Sequence, residues 1–212
     1  MTGEEIIRNT NHPYVLVANH STRYEAMVLP GIINHLRQGS PIHFFADWNF
    51  ALYPLLGHMM RRGEAIIVTR KPARPAFLNL LRPFYTDTMP SHERGAYFLK
   101  RGEPVGIFPE GTRNTAQDTL LRGERGAAWL SLSENVPILP VGIRYPLVLD
   151  GQPVAQNSPM ELEFGNLIHP DSNLIGKAHD LDALKQWHAR IMTEISRLSG
   201  KQWNPSAKRK KI

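Results

Sequence analysis

Six short apolar runs set most of what this chain can fold into: "YVLVA" (14–18), "PIHFFA" (41–46), "EAIIVT" (64–69), "PVGIF" (104–108), "PILPVGI" (137–143) and "MELEF" (160–164). Each is strand-length and bounded by Gly, Pro, Asn or Asp. Between them, residues 25–37, 49–61, 91–101, 122–135 and 179–198 carry apolar residues at helical spacing. Strand and helix in alternation predict an α/β fold, a single layered domain with a central, mostly parallel mixed sheet flanked by helices. The prolines of segment 71–90 restrict it to a helix of about two turns within a loop. The expected division is a domain over 1–200 and a basic tail over 201–212.

Composition narrows the chemistry. The 212 residues, 42% of them hydrophobic, suffice for one buried core. The absence of cysteine excludes a disulfide framework, a thiolate metal site and a cysteine nucleophile, and fits a reducing, cytoplasmic compartment. The first residues, "MTGEEIIRNT", have neither the basic start nor the apolar core of a secretory signal. No window approaches the roughly 20 apolar residues of a spanning helix, so the expectation is a soluble protein or one peripheral on the inner face of a membrane. Of the net charge of +6, five charges come from Lys201, Lys208, Arg209, Lys210 and Lys211, which leaves the body near neutral and assigns the basicity to the tail.

The first strand runs into "ANHSTRYEAM", with His20 and Glu25 five positions apart. On one helix they would point about 140° from each other. With His20 in the loop after the strand and Glu25 in the first helical turn, the carboxylate can reach back, fix the tautomer of His20 and offset an imidazolium charge, as a general base requires. The other reading is a packed turn histidine and a glutamate that favours the helix N-terminus. A second strand ends in "GIFPEGTRN", where Glu110, Gly111, Thr112 and Arg113 follow one another. The glycine permits close approach of a ligand, and the guanidinium suits phosphate or carboxylate. A solvated polar turn is the alternative.

Taken together, "NHSTRYE" and, some 85 residues later, "FPEGTR" resemble the glycerolipid acyltransferase family, which includes lysophosphatidic acid and glycerol-3-phosphate acyltransferases. Its second block is matched by "LYPLLGHMMRRGEAIIVTR" (52–70), ending in Arg70, and its fourth by "VPILPVGI" (136–143). The family usually has Asp where Glu25 stands, and one residue fewer between the positions of Gly63 and Arg70. The resemblance implies an acyltransferase fold, His20 as general base and Glu25 as its orienting partner. It also implies that Arg70, Glu110, Gly111, Thr112 and Arg113 bind the acceptor. No metal and no cofactor are implied. Acyl-CoA or acyl carrier protein is the donor substrate, and the acceptor is a lysophospholipid, foremost 1-acyl-sn-glycerol 3-phosphate. Arg23 is a further candidate contact for phosphate or CoA.

Relatives carry membrane helices before the first block, so this chain is expected to reach lipid otherwise or to use a soluble acceptor. Two stretches could serve: "FALYPLLGHMM" (50–60), read either as groove and interface or as core, and the basic tail behind segment 179–198, with Trp187 and Trp203, on an anionic membrane surface. Other readings are transfer to a glycolipid, an ornithine lipid or glycerol 3-phosphate, and a non-catalytic lipid-binding relative. Nucleic acid is not an expected partner, because neither a basic body nor interleaved aromatics are visible. A serine hydrolase is disfavoured by the lack of a Gly-x-Ser-x-Gly elbow, with Ser21 adjacent to His20 in the chain.

Overall fold

In the computed structural model, which describes residues 1–73, 75–149 and 151–206, all six apolar runs are strands of one sheet. They are β1 (Val15–Ala18), β2 (His43–Asp47), β3 (Ile66–Val68), β4 (Val105–Ile107), β6 (Ile138–Arg144) and β7 (Glu161–Phe164), in the order β3-β2-β4-β1-β6-β7. The first five are parallel, and β7 closes one edge antiparallel to β6. Strand β1 lies in the middle, with Val15 opposite both Val105 and Ile138. All four of its residues are buried. Val15 and Val17 join a core under helices α5 (Ser91–Lys100), α6 (Gly126–Glu134) and α7 (Leu181–Ser199). Leu16 and Ala18 join a second core under α1 (Glu5–Asn9) and α2 (Arg23–Leu36). A parallel strand covered on both faces needs apolar residues at every position, which is why it reads as an unbroken run.

The long helix expected over 49–61 is broken in two. Trp48–Leu52 is a 3-10 turn and α3 (Pro54–Arg62) begins afresh after Tyr53, whose extended backbone (φ −89°, ψ 120°) is what a following proline imposes. Pro54 then takes the first helical position, where its missing N–H costs nothing. Segment 71–90 holds a 3-10 stretch, Ala76–Leu81, running into α4 (Arg82–Tyr85). Helix α1 and a two-stranded parallel ribbon, β5 (Thr119–Leu120) with β8 (Gln202–Trp203), had no counterpart in the sequence reading.

Helix α7 turns its apolar stripe, including Trp187, Ile191 and Ile195, to the sheet, where it is fully buried. The folded chain also continues past residue 200: Lys201 is buried, and Gln202 and Trp203 pair with β5. The charges at 208–211 lie outside the described residues.

The C-terminal end of α7 crosses β6 at Gly142, where an added Cβ would sit 2.3 Å from the Leu198 carbonyl carbon and 2.5 Å from the Ser199 nitrogen. Backbone cannot yield as a side-chain end can, so Gly142→Ala forces the helix off the sheet. The expected cost is about 3 kcal/mol, at the upper end for overpacking, read from the midpoint of chemical denaturation. An unchanged midpoint would disprove this account of the contact.

Candidate active site

Strand β1 ends against Asn19, whose buried side chain keeps the chain in register with β6 as the backbone leaves the sheet. Its Nδ2 donates to the Ile143 carbonyl (2.9 Å) and its Oδ1 accepts the Ile143 N–H (2.7 Å). Helix α2 starts two residues earlier than expected, with Thr22 as N-cap and Glu25 in the first turn. The sequence Thr22-x-x-Glu25 has the form of a capping box, yet both side chains are diverted. Thr22 Oγ1 lies 3.3 Å from the Tyr145 hydroxyl, and the Glu25 carboxylate folds back past the cap to accept the Ser21 N–H at 2.7 Å.

The same Glu25 Oε2 lies 2.7 Å from His20 Nδ1, and Oε1 accepts the Tyr145 hydroxyl. Glu25 is fully buried, while the His20 side chain is 13% exposed and stacks on Phe108 with ring centroids 4.4 Å apart. A carboxylate only accepts, so Nδ1 carries the hydrogen, and in the neutral ring Nε2 is the nitrogen with the lone pair. Among the described residues nothing binds Nε2. Burial and the Glu25 charge hold the Tyr145 hydroxyl well above the usual phenol range, so it remains a donor.

Glu110, at the end of neighbouring strand β4, does not point at open space. Its Oε1 accepts the His20 N–H (3.0 Å), and its Oε2 accepts the Leu121 N–H (2.8 Å) and Asn114 Nδ2 (3.0 Å). The Asn114 N–H donates in turn to the His20 carbonyl (2.7 Å). Thus the second motif grips the backbone of the first motif's histidine on both sides. Burial pushes the Glu110 carboxyl above the usual range, against the pull of these donors and of Lys201.

The other residues of the motif lie around the mouth of this cluster. Gly111 turns with φ +65°, and its carbonyl accepts Lys71 Nζ at 2.8 Å. Glu124 passes beside it, its Cγ 3.6 Å from where a Gly111 Cβ would be, and Arg70 reaches to 3.9 Å of the Glu124 carboxylate. Arg113 is half-buried, close enough to Lys71 to depress the ammonium's pKa alongside the larger effect of burial. Among the described residues the Arg113 guanidinium has no hydrogen bond or ion pair. Thr112 is half-buried beside it, while the exposed Arg23 only donates its backbone N–H to Gln156. No three His, Asp or Glu among the described residues are grouped to hold a metal ion.

A family model described as "Acyltransferase" matches residues 1–144, more than half of the chain. The chain belongs to the acyltransferase family. Six chains of solved structures match, among them the 1-acyl-sn-glycerophosphate (LPA) acyltransferase PlsC from Thermotoga maritima, at 18% sequence identity and a TM-score of 0.59, over 94% of this chain and 71% of that one. At that identity the likeness is one of fold. A comparison with curated proteins gave no match.

The acyltransferase site also contains residues that sequence reasoning missed. Asn19 and Asn114 stand inside the motifs and could have been weighed as backbone anchors. Tyr145 follows the fourth block directly. Lys201, grouped with the solvated tail charges, is in fact 3% exposed, with Nζ donating to Ser21 Oγ (2.9 Å) and to the Ala116 carbonyl (2.6 Å). Burial pushes its pKa down, and the carboxylates of Glu110, Glu25 and Asp118 hold it up. Lys201→Met leaves two buried acceptors without a donor and should destabilise the acyltransferase by about 1–3 kcal/mol in urea titration. A surface lysine would cost nothing measurable.

The loop after the second motif is pinned through its Arg122 carbonyl, which accepts His188 Nε2 (3.1 Å) and Trp203 Nε1 (3.2 Å). Burial, and then Arg125 and Arg122, hold the His188 pKa below its ordinary 6.5, against the Arg122 carbonyl and Glu124. Well above pH 6.5 the ring is neutral folded or unfolded. Below it the unfolded chain takes up the proton first, so stability falls as pH falls. His188→Gln should reduce the loss of stability between about pH 7 and pH 5; an unchanged pH dependence would show that the ring protonates equally in both states.

Proposed function

We propose that the protein transfers a fatty acyl group from acyl-CoA or acyl carrier protein to the hydroxyl of a lysophospholipid, foremost 1-acyl-sn-glycerol 3-phosphate. The observation that carries this reading is the His20–Glu25 pair: Nδ1 held at 2.7 Å by a buried carboxylate, Nε2 unbound, and the ring at the edge of solvent. His20 Nε2 takes the acceptor's hydroxyl proton as that oxygen attacks the thioester carbonyl carbon. The new C–O bond forms, the C–S bond breaks, and the imidazolium returns the proton to the departing thiolate. Glu25 offsets the imidazolium charge, and Tyr145 and the Ser21 N–H keep the carboxylate in place. Stacking on Phe108 and the grip of Glu110 and Asn114 fix the ring's position.

Arg113 is the first candidate for the acceptor's phosphate, because its guanidinium is uncommitted and planar forks match phosphate oxygens. Lys71 and Arg70 add positive charge beside the same turn, which favours a phosphate-bearing acceptor over a neutral glycolipid. Glu110 serves this scheme through His20 and not through the acceptor, since both its oxygens are occupied. The intact geometry around Glu25 argues against a relative that has lost transfer. Glutamate does here what aspartate does in most of the family, its extra methylene taken up by the return from the first turn of α2.

The test is release of free thiol from palmitoyl-CoA, and then from palmitoyl-acyl carrier protein, with and without lysophosphatidic acid. Release is expected to need the acceptor and to fall about 10²- to 10⁴-fold in His20→Ala. Glu25→Ala should lower turnover while Glu25→Asp retains part of it, and Arg113→Ala should raise the acceptor's KM with the thioester's KM unmoved. Thiol release that ignores the acceptor, or survives loss of His20, would overturn the assignment.

A further inference from the structure

Residues 76–85 form one helical stretch mounted with its polarity reversed. Phe77, Leu80, Leu81 and Phe84 recur along it at i, i+3, i+4 and i+7, forming the side of the stretch that is exposed. That face looks outward, at 67%, 79%, 40% and 83% exposure. The polar face is turned to the protein: Asn79 Oδ1 accepts the Ala73 N–H (2.9 Å), its Nδ2 donates to the Ala76 carbonyl (2.7 Å), and Arg82 donates to the Thr69 carbonyl. Helix α3 repeats the pattern, with Leu55 and Met59 one turn apart and Tyr53 ahead of them, all exposed. Seven of the sixteen large apolar side chains exposed among the described residues fall between 53 and 84.

Both helices rest on the Trp48–Leu52 turn. Gly57 of α3 meets Ala51, and the Trp48 ring lies 6.2 Å from that of Tyr85 while its Nε1 donates to the Lys71 carbonyl (2.8 Å). This turn follows β2 directly, and β2 is parallel to β4 and, through it, to β1. The apolar face therefore lies at the same edge of the sheet as His20 and Glu110, tied to the Gly111 turn by Lys71. The charge is equally concentrated. Residues 48–86 contain Arg61, Arg62, Arg70, Lys71, Arg74 and Arg82 against Glu64 alone, a net of +5 that the near-neutral average of the body conceals.

An outward apolar face in a segment that also exposes Arg61, Arg62 and Arg70 matches a bilayer whose headgroups are anionic, with apolar side chains at the acyl boundary and cations at the phosphates. A neutral soluble partner would leave the exposed, positively charged Arg61 and Arg62 unanswered. We propose that the 76–85 helix and α3 form the docking surface by which this protein sits on an anionic lipid bilayer, active-site edge toward the lipid. The reason for such a surface rests on the acyl-transfer reading, but its test does not.

Flotation of the full chain with phosphatidylcholine vesicles, and with vesicles in which part of that lipid is replaced by phosphatidylglycerol, measures the docking directly. Binding is expected to anionic vesicles, to weaken with salt, and to weaken about tenfold or more in Leu80→Asp and Phe84→Asp. Because both side chains are exposed, the melting temperature should not move. Thiol release with a lysolipid acceptor embedded in vesicles should slow in the same variants, while a short-chain acceptor below its micellar concentration is used at the parent rate. Anionic binding that survives both variants and disappears on removal of residues 207–212 would overturn the proposal in favour of the tail. So would an absence of vesicle binding with a dimer that Phe84→Asp dissociates, since the face would then be an interface between copies. Vesicle binding as expected without any thiol release would leave the surface standing and remove the proposed activity instead.

Discussion

A buried carboxylate is among the most expensive groups a fold can carry unless donors surround it. Glu25, with no solvent exposure, has the His20 ring, the Ser21 N–H and the Tyr145 hydroxyl on its two oxygens. Those partners come from two places, the loop after β1 and the residue that follows β6, while Glu25 itself sits in the first turn of α2. Glu25 therefore fixes how the central strand, α2 and β6 meet. A second buried carboxylate, Glu110, does the same for the β4 end and the loop leading to Leu121. The ammonium of Lys201 is drawn toward both. The site is thus a small polar core set into an apolar one, in which each charge is tolerated because of the others.

The division of labour between the two motifs follows from the parallel order of the strands. β1 and β4 are neighbours that end on the same edge, so loops widely separated in the chain close on each other there, the arrangement expected of open α/β sheets. The first motif supplies the His20 ring. The second motif's Glu110 carboxylate and Asn114 N–H take up the backbone N–H and carbonyl of His20.

Much of this was legible in the sequence. The six strands showed themselves because burial on both faces leaves no polar alternation to confuse the signal, and the His20–Glu25 pairing followed from a spacing that no single helix could reconcile. Other features were hidden for physical reasons. Two-residue strands such as β5 and β8 have no periodicity. Lys201 and Tyr145 join the site across 180 and 120 positions, and a lysine beside a basic tail gives no sign that it is buried. The acyltransferase resemblance supplied Glu110 as an acceptor ligand, whereas its two oxygens are spent on the protein itself. The 48–86 segment was obscured by averaging, since its positive charge is offset by acidic residues elsewhere.

The bond from Lys201 to Ser21 has a consequence in time as well as in space. A chain made from its N-terminal end holds His20, Glu25 and the Glu110–Asn114 clamp well before residue 201 exists. The sheet's parallel pairings are already slow to close, because distant segments must meet before any contact rewards them. The ammonium that ties Ser21 to the Ala116 loop follows directly on α7, the helix that packs across Gly142. The polar cluster around Ser21 is thus completed late in the folding chain, when segments 180 positions apart are brought together.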